Sequence, residues 1–161
     1  MGVTIHFSGT LRDEAALAGI ESDARHFAAE RSWPVQTIDY GINASGDYTG
    51  VSIYPPENCE PIHLVFDEHL QVNEHVKTQF AGPETHIHII ELLRQLGTWF
   101  TDLFVEDEGE YWATKDAERL RMHMAVVSSR LEELARESEG LEIGVRLPSG
   151  RIVDLGRLHN A

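Results

Sequence analysis

Short runs of alternating apolar and polar residues, each too brief for a helix and each ended by turn residues, constrain this chain most. Val3, Ile5 and Phe7 alternate with Thr4, His6 and Ser8, the period of two expected of a strand with one buried face. Further strands are predicted at Val35–Tyr40, Val51–Tyr54, Ile62–Phe66 and Val76–Phe80, separated by turn-rich stretches such as GINASGDYTG. Asp67 to Asn73 forms a hairpin-like connection between the last two.

The helical period intrudes in three places. Leu17, Ile20, Ala24 and Phe27 recur at helical spacing behind a capping box, Thr10-Leu-Arg-Asp13. Ser32-Trp33-Pro34 ends that helix, because a residue before proline avoids the helical region. Gly82-Pro83-Glu84 opens a second helix carrying Ile89, Ile90, Leu93, Leu96 and Phe100. After VEDEGEY, which has the composition of an acidic linker, a long helix from Asp116 shows a narrow seam of Leu120, Met124, Val127, Leu131 and Leu134. Gly140 caps it, and Glu142–Leu147 and Arg151–Leu155 around a Pro-Ser-Gly turn predict a terminal β-hairpin. The expected fold is α+β: one antiparallel sheet of about five strands with helices on one face, in β-α-β4-α order, plus the long helix and the hairpin, all in one domain spanning 1–161.

Charge limits the function. Lys and Arg number 13 against 27 Asp and Glu, a formal charge of −14. A field of that sign repels phosphate backbones and attracts basic partners, so no nucleic-acid partner is expected. No run approaches the roughly 18 apolar residues of a membrane span, so no membrane is expected either. A 42% hydrophobic content is enough for an ordinary core. The single cysteine, Cys59, cannot form an intrachain disulfide and fits a cytoplasmic location. Glu57 and Glu60 beside it raise its pKa, which argues against a nucleophile.

Nine histidines raise the question of metal. His86 and His88 form an H-x-H pair, but on a helix two residues apart diverge by about 200°. They are therefore read as packed histidines, and no metal or other cofactor is expected. Strand parity points to a different set. If the apolar residues face the helices, His6, Ser52, Tyr54, His63, Lys77 and Gln79 share the open face of the sheet. Of these, His6, Tyr54, His63, Lys77 and Gln79 form the candidate ligand-binding set, able to hold a small ligand or to supply general acid and base. Tyr111 and Trp112, after the acidic run, form a candidate cation-receptive aromatic patch.

The stretches KTQFAGPETH and DEGEYW, with the helix that follows, resemble an uncharacterised family of small acidic bacterial proteins; the resemblance spans most of the chain and implies no activity. The element order is similar to that of the TATA-binding-protein-like fold, whose use in DNA binding the acidic charge opposes. The leading expectation is a non-enzymatic cytoplasmic binding or protein-interaction module, immunity- or antitoxin-like, with a basic protein partner or small ligand. Its last-helix seam suggests a homodimer. The alternative is a small hydrolase or lyase using His6, His63 and Lys77.

Overall fold

The computed structural model describes residues 2–43, 46–56, 58–137, 144–146 and 152–154. β1 (Thr4–Leu11) leads into α1 (Ala15–Glu30), and β2 (Val35–Asn43), β3 (Gly46–Ile53), β4 (Ile62–Phe66) and β5 (Gln71–Lys77) follow. α2 (Pro83–Leu96) ends in a single 3-10 turn, Gly97–Trp99, and β6 (Phe100–Asp107) comes next. A short α3 (Tyr111–Thr114), the long α4 (Ala117–Glu137), β7 (Gly144–Arg146) and β8 (Ile152–Asp154) complete the order. β7 and β8 pair antiparallel, as expected of a terminal hairpin. Gly140 and the Pro148-Ser149-Gly150 turn lie outside the described residues.

The expected five-stranded sheet is corrected to two antiparallel sheets of three strands, in orders β5-β1-β6 and β2-β3-β4. Two causes account for this. First, Phe100–Asp107 is a strand, where the acidic run reads as linker. Asp102 and Glu106 lie on the outward side of the pleat, and Leu103, Val105 and Asp107 turn inward opposite Gly9, Phe7 and Ile5. Second, β4 and β5 are tied only at their ends. At the turn, Asp67 N–H donates to the Gln71 carbonyl (3.0 Å), and Asp67 Oδ1 accepts from the N–H groups of His69 and Gln71. At the far end, Lys77 N–H donates to Glu60 Oε2 at 2.8 Å. Between these ties no ladder joins the two strands among the described residues, and the sheets part there.

GINASGDYTG also departs from the sequence reading. Its two ends extend β2 and β3, which pair from Val35↔Ile53 to Asn43↔Gly46. Cross-strand hydrogen bonding outweighs the turn propensity of these residues.

The inner faces of both sheets share one core with the helices. Ile5, Phe7, Val76, Val51, Ile53, Ile62, Leu64 and Phe66 meet Ile20, Ala24 and Phe27 of α1. Ile89, Ile90, Leu92, Leu93 and Leu96 of α2 are fully buried in that core. At ~1.5–3 kcal/mol per large apolar side chain, these five contribute on the order of 10 kcal/mol before entropy is counted. α1 is capped by Asp13, whose Oδ1 accepts the Ala16 N–H at 2.9 Å. The expected capping box is corrected at Thr10, which is a residue of β1.

α4 begins where Asp116 Oδ1 accepts the N–H groups of Glu118 and Arg119. Leu120 and Met124 are buried against Val3, with Ile87, Tyr111 and Val127 beside them. The first half of the seam is thus used within the chain, and Leu131 and Leu134 remain half-buried. Among the described residues, no helix is long and apolar enough to cross a membrane.

Candidate binding groove

Parity places the outer face of the β5-β1-β6 sheet in cross-strand rows. Gln71, Thr10 and Asp102 form one row, and Asn73, Ser8 and Phe104 the next. His75, His6 and Glu106 follow, then Lys77 and Thr4, with Glu108 Oε2 accepting the Thr4 N–H at 2.8 Å. Acids therefore line the β6 side, His6 stands on the central strand, and His75 and Lys77 lie on the β5 side. Phe104 stands out of this face with 67% of its surface exposed.

Where the sheets part, this face deepens into a groove of about 490 Å³. Ser8 and Thr10 line it from β1, Asn73 and Glu74 from β5, and Asp102 and Phe104 from β6. Tyr48 and Val65 line it from the other sheet, and Asp67 from the turn between β4 and β5. The lining includes three acidic residues, Asp67, Glu74 and Asp102, and two aromatic ones, Tyr48 and Phe104. Chemically it offers hydrogen-bond acceptors and aromatic surface, a lining suited to a cationic guest with an aliphatic stem.

The five candidate residues fall in three places, and none of them lines the groove. His6 and Lys77 lie on the outer face just described. The His6 ring is 5.8 Å from that of His75, and its Nε2 is 3.9 Å from Glu108 Oε1. The Lys77 ammonium sits 5.6 Å from the centre of the Phe80 ring. Tyr54 and His63 belong to the other sheet. Tyr54 donates its hydroxyl hydrogen to Gln36 Oε1 at 3.0 Å, and His63 Nδ1 shares a 2.7 Å hydrogen bond with Ser52 Oγ. Ser52 is only 1% exposed, so this hydroxyl–imidazole pair keeps its oxygen away from any substrate.

Gln79 departs most from its expected place. β5 ends at Lys77, so the strand alternation does not reach Gln79, which is 5% exposed. Its Oε1 accepts the Val3 N–H, and its Nε2 donates to the Met124 carbonyl and Ser128 Oγ, at 3.0–3.1 Å. Gln79 ties α4 to the start of β1 and offers no open ligand position.

The H-x-H pair is split as helical geometry demands. His88 packs edge-on against Trp33, ring centres 6.0 Å apart. His86 is fully buried, sharing a 2.7 Å hydrogen bond with Thr78 Oγ1, and its Nε2 lies 3.0 Å from Asp107 Oδ1. The Asp107 carboxylate, 2% exposed, also accepts the N–H groups of Gly109 and Trp112 at 2.7 and 2.8 Å. Burial alone raises its pKa; the hydrogen bond and charge of His86, helped by those two N–H groups, outweigh it and hold the carboxyl below its ordinary value. A hydroxyl–imidazole–carboxylate chain has the make-up of a catalytic triad, but here it is sealed in the interior and fixes the turn after β6.

The other chemical candidates are engaged within the chain. The Trp112 ring is covered by the Arg94 guanidinium, 4.4 Å from its centre, so the expected aromatic patch already holds a cation. Burial, helped by the charge of Glu60, pushes the Cys59 thiol up to about 12, which leaves it unreactive at neutral pH. Among the described residues no three His, Cys, Asp or Glu side chains come together to hold a metal ion.

Phe104, Asp102, Glu74, Asp67 and Tyr48 are the groove residues that sequence reasoning passes over. The available signal was the alternation Asp102-Leu103-Phe104-Val105-Glu106, hidden because an aromatic residue falls on the polar side. In comparisons with known proteins, no family model, no curated protein and no solved structure matches this chain.

Proposed function

We propose that the chain is a one-domain cytoplasmic binding module that holds a basic segment of a partner protein on its acidic outer sheet face, an immunity- or antitoxin-like role. The observation that carries this reading is the groove between the parted sheets, lined by Asp67, Glu74 and Asp102 together with the exposed Phe104. The formal charge of −14 supports it by drawing cationic segments to the molecule from a distance. The same charge disfavours nucleic acid as the partner.

A hydrolase or lyase built on His6, His63 and Lys77 is the competing reading. The 2.7 Å Ser52–His63 hydrogen bond favours it. Against it, His6 and His63 lie on different sheets, and the Ser52 hydroxyl is buried. Homodimerisation through the last helix would have to use Leu131 and Leu134, since Leu120 and Met124 are packed within the chain.

Titration of the protein with a lysine-rich peptide and with its glutamate counterpart tests the proposal. The lysine peptide should bind, more weakly as salt shortens the reach of exposed charges to about 8 Å at 0.15 M, and Glu74→Gln with Asp102→Asn should weaken it roughly tenfold. Equal affinity for both peptides would contradict the proposal.

A further inference from the structure

A basic segment held by charge alone would have no fixed register, but the ladder around β6 can supply one. In an antiparallel pair, alternate residues point their N–H and C=O groups at the partner strand. The Val3 carbonyl accepts from Thr78 N–H, and Leu11 N–H donates to the Leu70 carbonyl, so odd-numbered residues of β1 bond toward β5. The Thr4 carbonyl accepts from Glu108 N–H, so even-numbered residues bond toward β6. Asp102, Phe104 and Glu106 sit opposite those even residues and use their backbone groups on β1. Leu103 and Val105 sit opposite Gly9 and Phe7, and their N–H and C=O groups point away from β1. Among the described residues, no strand pairs with that outer edge of the sheet.

Side chains along the same edge follow a simple pattern. Asp102, Phe104 and Glu106 all project to the outer face, acid, aromatic, acid, with Asp102 and Phe104 also lining the groove. Charged residues on an edge strand protect it from pairing with its own copy. Two copies joined about Phe104 would set Asp102 against Glu106, and like charges directly opposite are destabilising. A strand with cations two residues either side of an apolar residue reverses that sign at both positions.

Resting on the proposed capture of a basic segment, we infer that β6 is a docking edge: the partner's segment adds to the sheet as a fourth strand. Its cationic side chains lie opposite Asp102 and Glu106, and an apolar side chain lies beside Phe104. Affinity comes from the backbone groups of Leu103 and Val105, and selectivity from the three outward side chains.

The probe is the peptide acetyl-Thr-Lys-Thr-Val-Thr-Lys-Thr amide, titrated into the full chain. With its valine beside Phe104, the two inner threonines point their N–H groups at β6, and the valine N–H points away. Methylating the nitrogens of those two threonines should weaken binding by about tenfold or more, the effect of two lost hydrogen bonds. Methylating the valine nitrogen should change it by less than about twofold, because that N–H makes no bond to β6. If both methylated peptides bind like the unmodified one while acetylating the lysines abolishes binding, strand addition is wrong and charge-based capture survives. If the unmodified peptide does not bind, both fail. The variant Val105→Pro, which removes an edge-facing N–H and leaves the ladder to β1, should reproduce the threonine result if it folds.

Discussion

Two polar regions lie on opposite sides of the same sheet, and they treat similar residues in opposite ways. Beneath the sheet, His86, Thr78, Asp107 and Gln79 are buried and tied to one another or to the backbone. Above it, His6, Asp102, Glu106 and Glu108 are exposed around Phe104. A buried polar group stays in place only when partnered, and losing the partner leaves it stranded. An exposed one is already solvated and loses little. Residue type therefore does not reveal the job. The triad-like chain is structural because it is sealed, and the plainer acidic strip is the one a partner can touch.

The contrast is broken most directly at Asp107. Asp107→Ala leaves the buried His86 ring and the N–H groups of Gly109 and Trp112 without their acceptor, and should cost about 3–5 kcal/mol in urea unfolding, the sum of several stranded polar groups. A loss under about 1 kcal/mol would place Asp107 with ordinary surface acids. Gln79→Ala comes next. It strands the Val3 N–H and loosens α4, and should cost roughly 1–3 kcal/mol; behaviour indistinguishable from Lys77→Ala would show that Gln79 is not the tie described here.

Acid should weaken the buried region through Asp107. The folded Asp107 carboxyl lies below its ordinary value, so its contribution is fully present above the unfolded value near 4 and is lost as pH falls through the folded value. Stability measured from pH 5 downward should fall less steeply in Asp107→Asn than in the unaltered protein. Parallel slopes would remove Asp107 from the acid-sensitive set. The smallest effect belongs to the outer face: His6→Ala should stay within about ±0.5 kcal/mol, and a large loss there would show that this face is not free for a partner.

The part of the molecule that could be read in its sequence is the part whose pattern is local. Val3, Ile5 and Phe7 alternate cleanly, and Ile89, Ile90, Leu93 and Leu96 repeat at helical spacing, so β1 and α2 stand where the periods put them, although Phe100, expected on that helix, opens β6. β6 was hidden because Phe104 sits outward between acids, and such an alternation looks like a charged linker. The split between β4 and β5 depends on ties at Asp67 and Glu60 and on the pairing of β1 with β6, contacts that no local pattern encodes. His86 could be recognised as a packed histidine from its helical spacing, but Asp107, its partner, lay inside the stretch that reads as linker. For the site, strand parity correctly put His6 and Lys77 on the outer face. It failed at Gln79 because the alternation was carried past the end of β5 at Lys77.

Whether the acidic outer face is the working surface can be asked by mapping amide chemical shifts while the lysine-containing peptide is titrated into isotope-labelled protein. The predicted shifts cluster on Asp102–Glu106 and on Ser8, Asn73 and Glu74 around the groove, with the exposed side of α4 at Met122 and Val126 unmoved. Shifts centred on α4, or on Tyr54 and His63 with β6 unaffected, would contradict the account.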